Sequence, residues 1–250
     1  MSLMIEKLLG FVMVLTRISA FFLVLPIFGW QNIPINVKVA FTLLLAIFFS
    51  MILPVGIDPK QVSIPEVILL IAGEATCGLA LGLVVTALFS AVRLSGQIIE
   101  REMGLTWAEI LDPLSGEGAE AVGMLLEMIF IILFLNANGH HLFLLVISKS
   151  YEAFPAGSIP SIPVLTSTVV KAGSVMLMTG LKLAAPMLAA LLLLMVVLSV
   201  LARMVPEMDI LFTSLPMRVG LGLLMMVVFL PFINDFVGEF ANLMGKLLPY

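Results

Sequence analysis

The stretch VVKAGSVMLMTGLKLAAPMLAALLLLMVVLSVLA, Val169 to Ala202, decides the fold. It holds two lysines, Lys171 and Lys182, and no acid. A helix needs ~20 apolar residues to cross a ~30 Å hydrocarbon core. This run is too long for one untilted span, and Pro186 sits near its middle. Such a helix must tilt, bend or leave the bilayer plane. A bend or break is expected within a few residues of Pro186, where proline removes one backbone donor.

Five further apolar stretches accompany it: Ile5–Leu25, Val37–Leu53, Pro65–Ala91, Ala121–Ile147 and Pro216–Phe236. None alternates like a barrel strand, and lipid tolerates no unpaired backbone, so all six read as helices. Prolines 26, 34, 54, 155, 160, 163 and 206 punctuate their boundaries, while Pro65 and Pro216 suit a first helical turn. The expectation is an all-α integral membrane protein of about six long helices with proline and glycine bends. No soluble domain or repeat is visible, so residues 1–250 read as a single domain.

Composition agrees. The chain is 62% hydrophobic and 11% charged over 250 residues, with mean hydropathy +1.23. Soluble domains carry roughly 25% charge, so too little polar surface exists here to cover a soluble globule. A net charge of −4 argues against nucleic acid as partner. The one cysteine, Cys77, excludes an internal disulfide and reads as a small core hydrophobe. The run after Lys7 exceeds a signal-peptide core and contains Arg17, so it reads as a retained helix. Loop charges show no Lys/Arg excess that would set orientation.

Ionisable residues fall within or near the apolar runs: Arg17, Glu74, Glu127, Lys171, Lys182 and Arg218. Each costs at least ~2.5 kcal/mol near a helix centre in lipid. They read as a proton or ion relay, or as interhelical pairs and snorkelling ends. Pairing is the better reading, because nothing in the sequence brings Glu74 and Glu127 onto one path. Gly73, Gly78 and Gly82, with Ala72 and Ala75, allow close helix contact. His140-His141 point in different directions on a helix and read as marking a bend after Asn136-Ala137-Asn138-Gly139. No nucleophile with a matched base, phosphate loop or cofactor motif occurs, so an enzyme is not expected.

One segment does not fit lipid: Glu100 to Gly118, ending in LTWAEILDPLSGEG. It is too long for a tight turn and too apolar for a solvated tether. Leu105, Trp107, Ile110, Leu111 and Leu114 can dock against a wall. Glu109, Asp112 and Glu117 keep the segment out of hydrocarbon. Gly104, Gly116 and Gly118 give permissive backbone at its ends, which suits a segment that must move, and Pro113 limits it in the middle.

Ordered motifs then suggest a family. Thr16-Arg17-Ile18-Ser19-Ala20-Phe21-Phe22 is followed by Leu25-Pro26-Ile27-Phe28-Gly29, then Ile33-Pro34 and Val37-Lys38. Gly96-Gln97-Ile98-Ile99 leads into Met103-Gly104-Leu105 and Asp112-Pro113-Leu114-Ser115-Gly116. Asn138-Gly139-His140 precedes Ser150 and Pro155; Ala185-Pro186 and Ala202-Arg203-Met204-Val205-Pro206-Glu207-Met208 come later. Taken together, nearly end to end, the chain resembles the FliR family of flagellar and virulence type III secretion export-gate proteins. The resemblance implies a fold like a FliP-type and a FliQ-type subunit joined, with much of it lifted out of the bilayer. It also implies assembly with FliP-like, FliQ-like and FlhB-like partners into a pore for unfolded flagellar subunits. The location implied is the bacterial inner membrane, within the flagellar basal body. Leu105 to Gly118 would then be the plug of the closed pore: Leu105, Trp107, Ile110, Leu111, Asp112, Pro113, Leu114 and Gly116. The other readings are the virulence counterpart and, from a different class, a secondary transporter for a small solute or ion. Against the latter, Pro186 has no matching break in a first half.

Overall fold

A computed structural model describes residues 2–26, 33–52, 63–105, 120–158, 160–204 and 210–247. Among them every regular element is an α-helix: α1 (Ser2–Val24), α2 (Ile35–Ile52), α3 (Ile64–Met103), α4 (Ala121–Asn136), α5 (His140–Ala153), α6 (Ile162–Met204) and α7 (Ile210–Leu247). Five have the length and apolar composition to cross a membrane: α1, α2, α3, α6 and the Thr213–Ile233 part of α7. The expected helical membrane architecture is what forms.

Helix ends follow local chemistry. Ser63 precedes α3, and the Glu66 carboxylate accepts a hydrogen bond from its backbone N–H at 2.7 Å. That is half of a capping box, with Pro65 in the first turn. At its other end α3 runs well past the apolar stretch. Glu100-Arg101-Glu102-Met103, expected to belong to the loop, form its last turn. These are good helix formers, and Arg101 suits the negative end of the helix dipole. Gly104 stops the helix with φ of 81°, the left-handed backbone common just beyond a helix end.

The apolar stretch Ala121–Ile147 is two helices. It breaks at Ala137-Asn138-Gly139, where Asn138 adopts φ of 59°, and His140 opens α5 at the expected bend. Pro186 does not break α6, which is helical from Ile162 to Met204. Proline removes a single N–H···O bond, and the ladder on either side carries the helix through. Pro216 lies inside α7, not in its first turn, because the helix starts earlier, at Ile210.

Two helices far exceed a bilayer. At 1.5 Å per residue, the 40 residues of α3 span about 60 Å and the 43 of α6 about 65 Å. Within α6 the segment between Lys182 and Arg203 carries no charge. Its length matches the ~20 residues that one hydrocarbon core accepts. The preceding half of α6 is surplus to a perpendicular crossing.

Packing divides the chain into two units. The first comprises residues 1–88, 138–174 and 241–250. Its core includes Met13, Ile18 and Phe21 of α1, Val84, Val85 and Leu88 of α3, and Ile147 and Tyr151 of α5. Cys77 is buried among these as a free thiol. Here α1 and α3 approach to backbone distance. A Cβ on Gly78 would collide with the Arg17 carbonyl oxygen, and one on Gly82 would lie 2.9 Å from that of Phe21. The Thr86 hydroxyl donates to the Val24 carbonyl at 3.0 Å, satisfying an open group at the end of α1. On the other side of α1, Phe22 meets Phe41 of α2 edge to face at 5.3 Å.

The second unit comprises residues 89–137 and 175–240. Its centre is aromatic: Phe89 of α3 lies 5.2 Å from each of Phe130, Phe134 and Phe240. Helices α3 and α4 cross at Gly96 and Gly123, where a Cβ on Gly96 would stand 2.5 Å from the Gly123 Cα. Helix α6 meets α3 at Gly180, with 3.0 Å to the Ala91 carbonyl.

The glycine contacts make a prediction. Gly78→Ala should cost roughly 1–3 kcal/mol, the usual penalty of overpacking. Gly173→Ala, where no atom lies within 4 Å of the new Cβ, should be neutral or slightly stabilising. Melting in mild detergent, followed by circular dichroism, reads both. Equal melting temperatures for the two variants would show that the α1–α3 contact is not close.

Candidate functional site

The buried charges form two clusters, one in each unit. In the first, Arg17 on α1 and Glu74 on α3 are 2% and 1% exposed. Arg17 Nε donates to Glu74 Oε2 at 2.6 Å. Its NH1 donates to the Ser150 carbonyl at 3.2 Å, the Ser150 hydroxyl at 3.3 Å and the Phe154 carbonyl at 2.9 Å. These acceptors lie at the end of α5, where the last carbonyls lack helical donors and the dipole is negative. Arg17 is thus the C-terminal cap of α5. Its Cζ also stands 4.1 Å from the centre of the Tyr151 ring, a cation–π contact.

Glu74 completes the ring. Its second oxygen accepts the Gly157 backbone N–H at 2.8 Å. Gly157 is the third residue of a turn closed by Ser158 N–H to the Pro155 carbonyl at 3.0 Å. Its φ of 83° is the left-handed value that a type II turn demands of that position. One ion pair therefore ties α1, α3, the end of α5 and the turn before α6. The charges are satisfied, and the arrangement holds helices.

The second cluster frames residues 106–119. Leu105 N–H donates to the Glu100 carbonyl at 3.3 Å, and the Glu100 side chain accepts the Val122 N–H at 3.1 Å. Glu100 thus contacts described residues on both sides of that span, and as an anion it suits the positive first turn of α4. Its other oxygen is buried and has no hydrogen-bond partner among the described residues. Arg93, two turns earlier on α3, pairs with Glu120 and lies 3.7 Å from Glu127. Glu127 is therefore a paired acid on α4.

Of the expected residues, Arg17 and Glu74 come together, and Glu127 finds Arg93. Lys171 and Lys182 sit on exposed parts of α6, as does Pro186. Leu105 lies in the turn ending α3. Trp107, Ile110, Leu111, Asp112, Pro113, Leu114 and Gly116 lie outside the described residues. Sequence reasoning missed Arg93, Glu100, Glu120, Ser150, Tyr151 and Gly157. Arg93 and Glu100 had a signal, since seven residues put them on one helical face. Among the described residues no group of three or more His, Cys, Asp or Glu is placed to hold a metal ion.

The ion pair makes the second prediction. Arg17→Met or Glu74→Leu alone leaves one buried charge uncompensated, a loss of roughly 3–5 kcal/mol. Arg17→Met with Glu74→Leu should cost less than either single substitution. Protease resistance and melting of the four proteins in detergent give the coupling. Additive losses would show that the two side chains do not depend on each other.

With this geometry in place, comparison with known proteins is informative. The sequence pattern of the family "Bacterial export proteins, family 1" matches residues 8–244. The chain is similar to the flagellar biosynthetic protein FliR of Bacillus subtilis (strain 168), with 30% identity over 91% of this chain and 88% of the relative. It is 29% identical to FliR of Escherichia coli (strain K12), over 94% and 90% of the two chains. FliR of Aquifex aeolicus (strain VF5) is 25% identical over 87% and 84%.

Proposed function

We propose that this chain, which belongs to family 1 of the bacterial export proteins, is a pore-forming structural subunit of the flagellar protein export gate. It is a component of the flagellar export apparatus and a membrane protein; its place in the bacterial inner membrane and its role in the pore are the proposal. The partners are FliP-like, FliQ-like and FlhB-like subunits, and the cargo is unfolded flagellar protein. The relatives named above are flagellar, which favours that system over a virulence counterpart. The role is structural and not catalytic.

The observation that carries this reading is family membership across residues 8–244. Two physical features support it. Helices α3 and α6 are about twice as long as a bilayer is thick, which suits a subunit that projects from the membrane. Exposed apolar side chains run along α6, among them Leu192, Leu193, Val196, Val197 and Val200. Apolar surface on this scale calls for lipid or neighbouring subunits.

Residues 105–118 are the proposed plug. Their apolar members close the pore by many weak contacts, and entering substrate displaces them. The carboxylate of Glu100 and the Arg93–Glu120 pair hold the base of the span.

Removal of Thr106–Glu117, tested in the complex with FliP- and FliQ-like partners, should leave co-purification intact and raise passive ion conductance in a planar bilayer. A trimmed complex that assembles and conducts no more than the intact one would falsify the plug. Failure of the intact chain to co-purify with such partners would overturn the gate assignment itself.

A further inference from the structure

Arg17 and Arg93 each meet a carboxylate, and Arg218 on α7 does not. Among the described residues no ion pair or hydrogen bond reaches it. Its Nε is buried without a partner. The residue is half-buried and lies in the apolar Thr213–Ile233 part of α7. Lys171 and Lys182 also fall in apolar runs, but they are exposed on α6 and can be solvated. Arg218 has that freedom only at its tip. The two terminal nitrogens are not shut in with Nε, so the open end of the guanidinium reaches the surface of the chain.

Helical spacing sets Ser214, Arg218 and Gly222 one turn apart on one side of α7. Ser214 is buried, and a Cβ on Gly222 would stand 2.6 Å from the Met103 side chain, so this side faces the end of α3. Arg218 is therefore rooted in its own unit and open at its tip. Beside it, Leu215 and Met217 are 45% and 44% exposed. An arginine rooted in packed structure and rimmed by apolar side chains is the arrangement that anchors protein interfaces. Its occupant is an anion, because a desolvated cation without one is costly. Position narrows the choice. Eight uncharged residues, Ile210 to Met217, precede Arg218 in α7, about 12 Å of helix. A lipid headgroup at the helix end does not reach that far, whereas a carboxylate on a helix laid alongside does. The planar fork donates to both oxygens of a carboxylate at once.

We propose that the Arg218 flank of α7 is a docking site for a neighbouring subunit of the export apparatus, which supplies an aspartate or glutamate to the guanidinium and an apolar surface to Leu215 and Met217. The proposal rests on the reading of this chain as an assembled subunit. The counter-ion of Arg218 arrives with the partner, so the charge serves assembly and adds nothing to the stability of the chain alone.

The complex is purified from bacterial membranes in mild detergent through a tag on this chain, and release of its partners is followed on dilution. Arg218→Gln should speed release of one neighbouring subunit about thirty-fold, the effect of removing one member of a desolvated interfacial charge pair. The melting temperature of the chain alone should stay the same or rise. Arg218→Lys should keep part of the contact, and Glu239→Gln, an exposed control on α7, should keep all of it. A photoreactive residue in place of Leu215, in protein that retains Arg218, should label a partner segment that contains an acid. Reversing that acid to arginine should release the subunit, and adding Arg218→Glu should restore it. Unchanged release from Arg218→Gln overturns the docking site, and a lowered melting temperature with unchanged release assigns Arg218 to the fold instead. Labelling confined to lipid also overturns it. An intact chain that assembles with no partner overturns the subunit reading as well.

Discussion

A charge pair removed from water is the constraint on which the first unit depends. Arg17 and Glu74 each cost several kcal/mol to bury, and only mutual contact with further hydrogen bonds offsets this. The surroundings supply those bonds: two carbonyls and a hydroxyl at the end of α5 for the guanidinium, and the Gly157 amide for the carboxylate. Each partner also closes an otherwise open backbone group. The pair is thus inseparable from the helix end and turn that it caps. The close passage of α1 over Gly78 belongs to the same arrangement, since the carbonyl that meets that glycine is the one on Arg17. A larger residue at position 78 would push away the backbone that carries the guanidinium.

The second unit uses the same chemistry to a different end. Glu100 stands at the start of α4 as Arg17 stands at the end of α5, a charge matched to the dipole of the helix it meets. The crossing of Gly96 over Gly123 brings α3 near enough for this. Arg93 then holds Glu120, the first described residue after the span that follows Leu105. The described residues on either side of that span, Leu105 and Glu120, are thus both held by α3.

Much of this was legible in the sequence and some was not, for physical reasons. Helix α6 was legible because a long apolar run without strand-like alternation has one solution in lipid. The last turn of α3 was misread because polarity reports on solvent and not on backbone. Glu100-Arg101-Glu102 are polar and helical at once, and Gly104 was the better sign of where the helix stops. The pairing of Arg17 with Glu74, 57 positions apart, was not legible. A helix that is apolar on all sides has no polar face to set its rotation. The carbonyls of Ser150 and Phe154 leave no mark in sequence at all, because every residue has one. Of the proposed plug's expected members only Leu105 falls among the described residues.

These features share a cause. Between helices in lipid there is little hydrophobic drive, since hydrocarbon tails are as apolar as leucine. Burial of Leu, Val and Met side chains therefore gives cohesion without much choice of partner. The choice falls to contacts that tolerate no substitute: glycine against backbone at Gly78, Gly82 and Gly96, and charge against charge at Arg17–Glu74 and Arg93–Glu120. Short-range and directional, they specify which helices meet and in what register. Among the described residues the exposed aliphatic side chains of α6 make no such contacts, so that face can meet lipid or apolar neighbours without a fixed register.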